Sequence, residues 1–288
     1  MIKSLINRIS VLLRGESYER GVWEQAKVDG WNDINYPWRP GAGELDKMGK
    51  ILGGLGKKGK IALLGSTPEI RNLVMSKNIK LDVVDFSKRM YDEMGIISQS
   101  GQNEKFIQSD WIKYFSGQIE TYDLVIGDLI ERMLPTNKLI LLSQGLVGAL
   151  KRDGRVLLRG DYYIARKNRS ATEIKIEIQR LIQKGLNYKE IADWLFFGLS
   201  REFKLKSGKV SLAKMKKALV EMNQSMTDEE REVTNLLIKR WTCSPIDFYC
   251  RSMENIASVW GQNFVSDVKI EEQMFNGILM ALRVWQKK

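Results

Sequence analysis

The sequence predicts an α/β fold, an open and mostly parallel sheet wrapped by helices, and three observations carry that prediction. Short apolar runs that read as buried strands alternate with helix-period segments from Lys60 to Arg159. Helix-start signatures, a hydroxyl residue followed by proline or by spaced apolar residues, sit between them. Polar residues recur just past the ends of successive strands. Strands alternating with helices imply right-handed crossovers and a Rossmann-like sheet.

The elements follow in chain order. Met1–Arg14 is basic and amphipathic, with Ile2, Leu5, Ile6, Ile9, Leu12 and Leu13 near one helical face, and reads as a surface or docking helix. It lacks the apolar core and cleavage site of a signal peptide. Glu16–Gly43 is rich in tryptophan and turns, and reads as a cap that packs aromatics onto the core. A helix is expected over Glu44–Leu52, after which Gly53–Gly59 turns the chain into a first strand at Lys60–Gly65. That strand is apolar without alternation, as a strand covered on both faces should be. Ser66-Thr67-Pro68-Glu69 starts a helix with a hydroxyl cap, proline at the first position and an acid in the first turn. Leu81–Asp85 is the second strand. Ser87 caps a helix that carries Met90 and Met94 and is expected to stop at Gly95. Lys105–Gln108 and Tyr122–Asp128 are the third and fourth strands. Thr136 is expected to cap a helix to Leu150, and Gly154–Arg159 is the fifth strand.

Beyond Tyr163 the pattern turns helical. Thr172–Ile178 fits either a strand or a helix, and its length favours a helix. Thr227-Asp-Glu-Glu is a capping box before the spaced residues Val233, Leu236, Leu237 and Trp241. A helix at Ser252–Trp260 and strands at Phe264–Ile270 and Ile278–Trp285 return to α/β. The expected organisation is an N-terminal helical, Trp-rich cap (1–58), a Rossmann-like core (59–165), a helical insertion (166–250) and a C-terminal helix with two strands (251–288).

Composition bounds the chemistry. The 288 residues are 43% hydrophobic and 28% charged, enough for a sizeable core. There is no histidine, which removes Ser-His-Asp and Cys-His mechanisms and histidine metal sites. Cys243 and Cys250 make neither a metal motif nor a disulfide framework, so no metal is expected and a reducing, cytoplasmic compartment fits. No apolar run is long enough to span a bilayer. A net charge of +11 favours an anionic partner: a metabolite, nucleic acid or a lipid surface.

In open parallel sheets, ligands sit beyond the carboxyl ends of the strands where strand order reverses. Gly65, Ser66 and Thr67 follow the first strand, Asp85 ends the second, Asp110 and Trp111 follow the third, and Asp128 ends the fourth. Gly65 permits close backbone approach. Asp85, roughly twenty residues on, is placed to accept both hydroxyls of an adenosine ribose. A dinucleotide site would want a G-x-G-x-x-G turn, and Gly65-Ser-Thr-Pro-Glu-Ile lacks its second and third glycines.

The segments LLGSTPE (63–69), VVDFSKRM (83–90), IQSDW (107–111), YDLVIGD (122–128) and GRVLLRGDYY (154–163) together resemble the class I S-adenosylmethionine-dependent methyltransferases. The resemblance covers about Trp38–Tyr163 with the final helix and two strands, and the D-x-S-x-x-M pattern at Asp85–Met90 is its most specific element. It implies a seven-stranded sheet, mostly parallel with the last strand antiparallel, S-adenosylmethionine as cofactor, and methyl transfer. It further implies that Gly65, Ser66 and Thr67 line the methionine moiety, and that Asp85 holds the ribose with Phe86, Ser87 and Met90 beside it. Asp110 would meet the adenine amine with Trp111 flanking the ring, and Asp128 and Leu129 would lie beneath the sulfonium. Trp38 and Arg39 would close over the cofactor. Should the acceptor need deprotonation, Asp128, Glu131, Asp161, Tyr162 and Tyr163 are the candidates, none of them diagnostic.

The insertion bears on the acceptor. Arg201, Lys204, Lys206, Lys209, Lys214, Lys216 and Lys217 crowd together with Glu202 as the main counterweight. The readings are a solvated helical face, a lid over an anionic small molecule, or a nucleic-acid-facing patch. Trp194, Phe196 and Phe197 look like core, and the S-x-x-K match at Ser211–Lys214 has no companion motifs. Asp128-Leu-Ile-Glu131 is neither of the base-methylating strand-four motifs, N/D-P-P-Y or Pro-Cys. A small-molecule acceptor is therefore favoured over nucleic acid or protein, with a non-catalytic cofactor-binding protein as the remaining alternative.

Overall fold

The structure, a computed structural model, describes residues 31, 36–98, 101–163, 169–242, 247–275 and 278–288. The expected N-terminal helix over Met1–Arg14, most of the Trp-rich stretch and Cys243 lie outside these residues. Helix α1 (Ala42–Gly53) precedes strand β1 (Lys60–Leu64), followed by α2 (Pro68–Ser76), β2 (Lys80–Asp85), α3 (Lys88–Ile97) and β3 (Glu104–Gln108). Next come α4 (Trp111–Phe115), β4 (Tyr122–Asp128), the single turn α5 (Ile130–Met133), α6 (Thr136–Ala149) and the long β5 (Leu150–Tyr163).

The strands lie in the order β3-β2-β1-β4-β5-β8-β7, where β7 is Phe264–Phe275 and β8 is Ile278–Lys287. Strands β1 to β5 pair in parallel and β8 runs antiparallel to both neighbours. The seven expected strands are joined by an eighth, β6 (Arg251–Ser252), which pairs with Tyr162 and Tyr163 at the end of β5. Strand order reverses between β1 and β4, and so the switch point lies where Gly65 and Asp128 leave the sheet.

Both faces are covered. Leu63, Val83, Leu124, Ile126 and Leu157 pack on one side with Met48 and Leu52 of α1 and Ile70 and Val74 of α2. Leu64, Val125, Val156 and Leu158 pack on the other with Leu139, Leu142 and Leu146 of α6 and Trp260 of helix α11 (Met253–Trp260). This double covering is why these strands read as unbroken apolar runs.

Between β5 and α11 lie α7 (Ala171–Gln183), α8 (Tyr188–Ser200), α9 (Leu212–Asn223) and α10 (Asp228–Leu237), the last continuing into a π-helical turn at Ile238–Thr242. The ambiguous segment at 172–178 is helical, and Ser170, Asn187 and Thr227 each close a capping box. The residue pair read as an S-x-x-K match is a helix cap, with Ser211 Oγ accepting from the Lys214 amide. Trp194, Phe196 and Phe197 are buried in the core of this helical unit, as their spacing suggested.

Helix α1 starts at Ala42 rather than Glu44, α6 ends at Ala149 rather than Leu150, and two further boundaries differ for a local reason. Helix α3 runs through Gly95 to Ile97, because Gly95 does not take the left-handed backbone that ends a helix and Ser98 N–H closes the turn onto Met94 O. Thr136 is the first helical residue of α6 rather than its cap. Pro135 occupies the cap in extended conformation and offers no side-chain acceptor. No helix of the described residues is long and apolar enough to cross a membrane.

Candidate functional site at the carboxyl edge of the sheet

Two polar relays cross the switch point. In the first, Ser66 Oγ donates to Asp85 Oδ2 at 2.8 Å, and the Ser87 amide donates to Asp85 Oδ1 at 2.9 Å. Ser87 Oγ in turn accepts from the Met90 amide at 2.9 Å, which caps α3 as its sequence suggested. The ends of β1 and β2 and the start of α3 are thereby locked around one buried carboxylate.

In the second relay, Thr67 stands at the cap position of α2, yet its hydroxyl does not cap. It donates instead to Asp128 Oδ2 at 2.9 Å. Asp128 Oδ1 accepts from Arg159 at 2.8 Å. Arg159, wholly buried on β5, also reaches Glu44 Oε2 at 2.7 Å and the carbonyl oxygens of Pro37 and Arg39. Burial opposes its charge, but the carboxylates of Asp128 and Glu44 outweigh that and hold it protonated. Reading the sequence strand by strand missed Arg159. Its one signal is a lone charge ending the apolar run Val156-Leu-Leu.

Gly65 lies between the relays with φ +91°, a left-handed backbone that suits glycine. A side chain there would point toward Trp111, 3.8 Å away. The Trp111 indole is pinned by its N–H to Val84 O at 2.8 Å. Asp110 is exposed and caps α4 by accepting from Lys113 N at 3.1 Å, while the Phe86 carbonyl accepts from Gln108. Leu129 takes a left-handed backbone at φ 53° as the chain leaves β4, its amide bonded to Arg159 O at 2.7 Å.

Trp38 and Arg39 lie beside this edge, Trp38 in one apolar cluster with Met90 and Leu129 and the Arg39 carbonyl on Arg159, and each side chain has a partner of its own. Trp38 packs into the helical unit, stacked on Trp241 with ring centroids 4.1 Å apart and tilted on Phe197 at 4.6 Å. Arg39 is held by Glu69 of α2 at 2.6 Å and lies over the Trp31 ring.

The candidate bases separate by their partners. Both oxygens of Asp128 are engaged by Thr67 and Arg159. Glu131 is wholly enclosed, accepting from the Tyr162 hydroxyl and from Trp260 Nε1 at 2.6 Å, and burial pushes its carboxyl above the ordinary range. Tyr162 is buried with it and its phenol is pushed well up by the same burial. Asp161 is paired with the buried Arg132, another residue the sequence reading missed. Tyr163 is half-buried, and its hydroxyl accepts from Lys204 Nζ at 2.6 Å.

The cations of the insertion also separate. Arg201 is 7% exposed, Lys204 is held on Tyr163, and Lys209 pairs with Asp247 at 2.6 Å. Lys214, Lys216 and Lys217 lie exposed on α9.

No protein-family model matches the chain, and no curated protein matches it. Solved structures with the same fold do exist. One is the Burkholderia thailandensis 1,6-didemethyltoxoflavin-N1-methyltransferase with its substrate and S-adenosylhomocysteine (TM-score 0.52, 8% identity, 95% of this chain and 90% of that one). Another is the magnesium protoporphyrin IX methyltransferase of Synechocystis PCC 6803 with S-adenosylhomocysteine (TM-score 0.51, 11% identity, 95% and 100%). A Rhodobacter sphaeroides protein described as a Zn-dependent alcohol dehydrogenase matches at TM-score 0.50 and 14% identity, over 91% and 98%. The chain thus has the Rossmann-like fold found in S-adenosylmethionine-dependent methyltransferases. At these identities the likeness is one of fold.

Proposed function

We propose that this protein is an S-adenosylmethionine-dependent methyltransferase acting on a small-molecule acceptor. The observation that carries the reading is the pair of relays, Ser66–Asp85–Ser87 and Thr67–Asp128–Arg159, meeting at the switch point of the sheet. The residues fit such a cofactor. Gly65 leaves space for close approach, Asp85 offers a carboxylate where a ribose would lie, and Trp111 presents a pinned aromatic ring beside it. When bound, the cofactor supplies a methyl group already activated by a sulfonium, so proximity and orientation are the protein's main contributions.

In this reading Asp85 accepts the ribose hydroxyls, with Phe86, Ser87 and Met90 beside them. Gly65 to Thr67 line the methionine moiety, Asp110 and Trp111 take the adenine, and Asp128 with Leu129 lies under the reacting end. Arg159 is a positioning residue that fixes the Asp128 carboxylate. Four of the candidate bases are engaged in buried polar contacts, which leaves the Tyr163 hydroxyl, with Lys204 beside its oxygen, as the candidate group best placed to hydrogen-bond and orient an acceptor. Lys204 and Lys209 are taken up by Tyr163 and Asp247, and the exposed cations that remain in this cluster are Lys206 and the three lysines of α9, a shorter face than the continuous cationic stripe that tracks nucleic acid, which favours a small acceptor.

Calorimetry with S-adenosylmethionine and S-adenosylhomocysteine tests the reading, and silence at millimolar cofactor would overturn it. Asp85→Ala removes charge-assisted hydrogen bonds worth about 1.5–3 kcal/mol, and binding should weaken by roughly ten- to 150-fold. An Asp85→Ala protein with unchanged affinity would refute the site assignment.

A further inference from the structure

We infer that the helical insertion contains an oxyanion site, formed by Arg169 and Arg201 at the carboxyl end of α8, which takes the carboxylate or phosphate group of the methyl acceptor. The inference rests on the methyltransferase reading for what the ligand is, but not for whether the site binds an anion.

Arg169 stands immediately before the cap of α7, its side chain only 9% exposed. Its Nε donates to Glu202 Oε1 at 2.7 Å. Its two terminal nitrogens are buried and have no hydrogen-bond partner. A buried polar group left in that condition costs about 1–3 kcal/mol, and more when it is charged. Such groups are rare in folded proteins and point to a partner that the protein itself does not supply.

The surroundings are arranged to keep this guanidinium where it is. A Cβ on Gly198 of α8 would sit 3.1 Å from one terminal nitrogen and 3.5 Å from the other. The guanidinium therefore lies against bare helix backbone. Glycine inside a helix is unfavourable by about 1 kcal/mol relative to alanine, so packing rather than helix propensity accounts for it here.

A second cation stands beside the first. Arg201, at 7% exposure, lies 3.9 Å from the same Glu202 oxygen. An oxyanion would meet the two open nitrogens of Arg169, because the planar fork of arginine matches carboxylate and phosphate oxygens in pairs.

The site also faces the right way. Trp194, Gly198 and Arg201 fall on one face of α8 by their spacing. Trp194 meets the Tyr36 ring edge-on at 5.2 Å, and Tyr36 lies over Arg159, which holds Asp128. One helix face thus runs from the two arginines toward the reacting edge. An acceptor held at its anionic end by Arg169 would present its other end to that edge.

The test is thermal unfolding of the whole protein in chloride, inorganic phosphate or acetate at matched ionic strength. At tenfold excess over Kd, an anion bound to the folded state should raise Tm by roughly 2 °C above chloride. A rise with phosphate alone assigns a phosphorylated acceptor, and a rise with acetate alone assigns a carboxylate. Arg169→Gln should abolish the rise and Gly198→Ala should reduce it, while the exposed Lys217→Ala keeps it. Should Arg169→Gln fail to fold, Gly198→Ala decides. Equal Tm in all three salts, or a rise that survives in Arg169→Gln and Gly198→Ala, would overturn the inference. Binding of S-adenosylhomocysteine, measured in parallel, should be unaltered in Arg169→Gln. Loss of cofactor binding in the wild type would sink the methyltransferase reading while leaving the anion response standing.

Discussion

Replacing Asp161 by asparagine should destabilise the protein far more than its single lost contact suggests. Arg132, at the end of the α5 turn, has no exposed side-chain surface, and Asp161 supplies its counter-charge. The guanidinium also donates to Ser200 Oγ at 2.6 Å and is ringed by Phe197, Phe196, Trp38 and Phe248 at 4.4, 5.1, 5.5 and 5.7 Å. Aromatic faces soften a buried cation by about 0.5–2 kcal/mol each at best, and cannot replace a carboxylate. Burial pushes the Asp161 carboxyl up and Arg132 pulls it back down, so each group is tolerated because the other is there. Asparagine keeps the shape and an acceptor oxygen but strands the charge, at a cost of about 3–5 kcal/mol.

For 288 residues with an unfolding entropy of about 2.1 cal/mol/K each, that cost lowers Tm by roughly 5–8 °C. Denaturant unfolding of Asp161→Asn, Arg132→Met and the double variant closes a cycle. The double variant should be more stable than Asp161→Asn alone, since it removes the stranded cation. Asp161→Asn within about 1 kcal/mol of wild type, or costs that simply add, would refute the view that one buried pair ties the sheet edge to α8.

Two other perturbations probe buried titratable groups. Burial raises the Glu131 pKa above its ordinary 4.5, the Tyr162 and Trp260 hydrogen bonds opposing it less strongly, so above that value the folded state keeps a proton the unfolded state has lost. Stability then falls as pH rises between the two pKa values, and urea unfolding from pH 4 to 7 should show the advantage of wild type over Glu131→Gln shrinking with pH; a growing advantage contradicts the sign. Burial pushes the Cys250 thiol up to about 12, and in a Cys243→Ser background it should resist a disulfide reagent at pH 8 until denaturant is added. Rapid labelling of the native protein would show the thiol is not enclosed.

The central strands β1, β2 and β4 were legible because they are buried on both faces. Ile61 to Leu64 and Leu124 to Ile126 are essentially inaccessible, and a run of that kind leaves few readings. The switch-point residues were legible for a related reason. Asp85 and Asp128 are the charges that end those runs, and each became the centre of a relay. What could not be read is how the relays are completed. Arg159 meets Glu44 from 115 positions away, and Arg132 meets Ser200 from 68. A charge in an apolar run announces a buried cation, but its partner is fixed by topology rather than by local spacing. The same limit hid the partner of Trp38, whose ring stacks on Trp241 from about two hundred positions away while sharing an apolar cluster with Leu129 and Met90.

The absence of histidine gives these buried arginines a particular meaning. Arg71 is held by Glu104 at 3.0 and 2.6 Å and by the Tyr91 carbonyl, and Arg159 is matched by two carboxylates and two carbonyls. Arg132 has a carboxylate and a hydroxyl, with only its Nε unmet among aromatic rings. Each is a fixed positive charge that orients a carboxylate, a hydroxyl or a carbonyl. That suits a reaction in which the transferred carbon arrives already activated and geometry carries most of the barrier reduction. Arg169 breaks the pattern, because its terminal nitrogens meet nothing while its Nε is engaged. Among these four arginines, Arg169 is the one whose two terminal nitrogens are both enclosed and unmet, which is the deficit that the inferred oxyanion would fill.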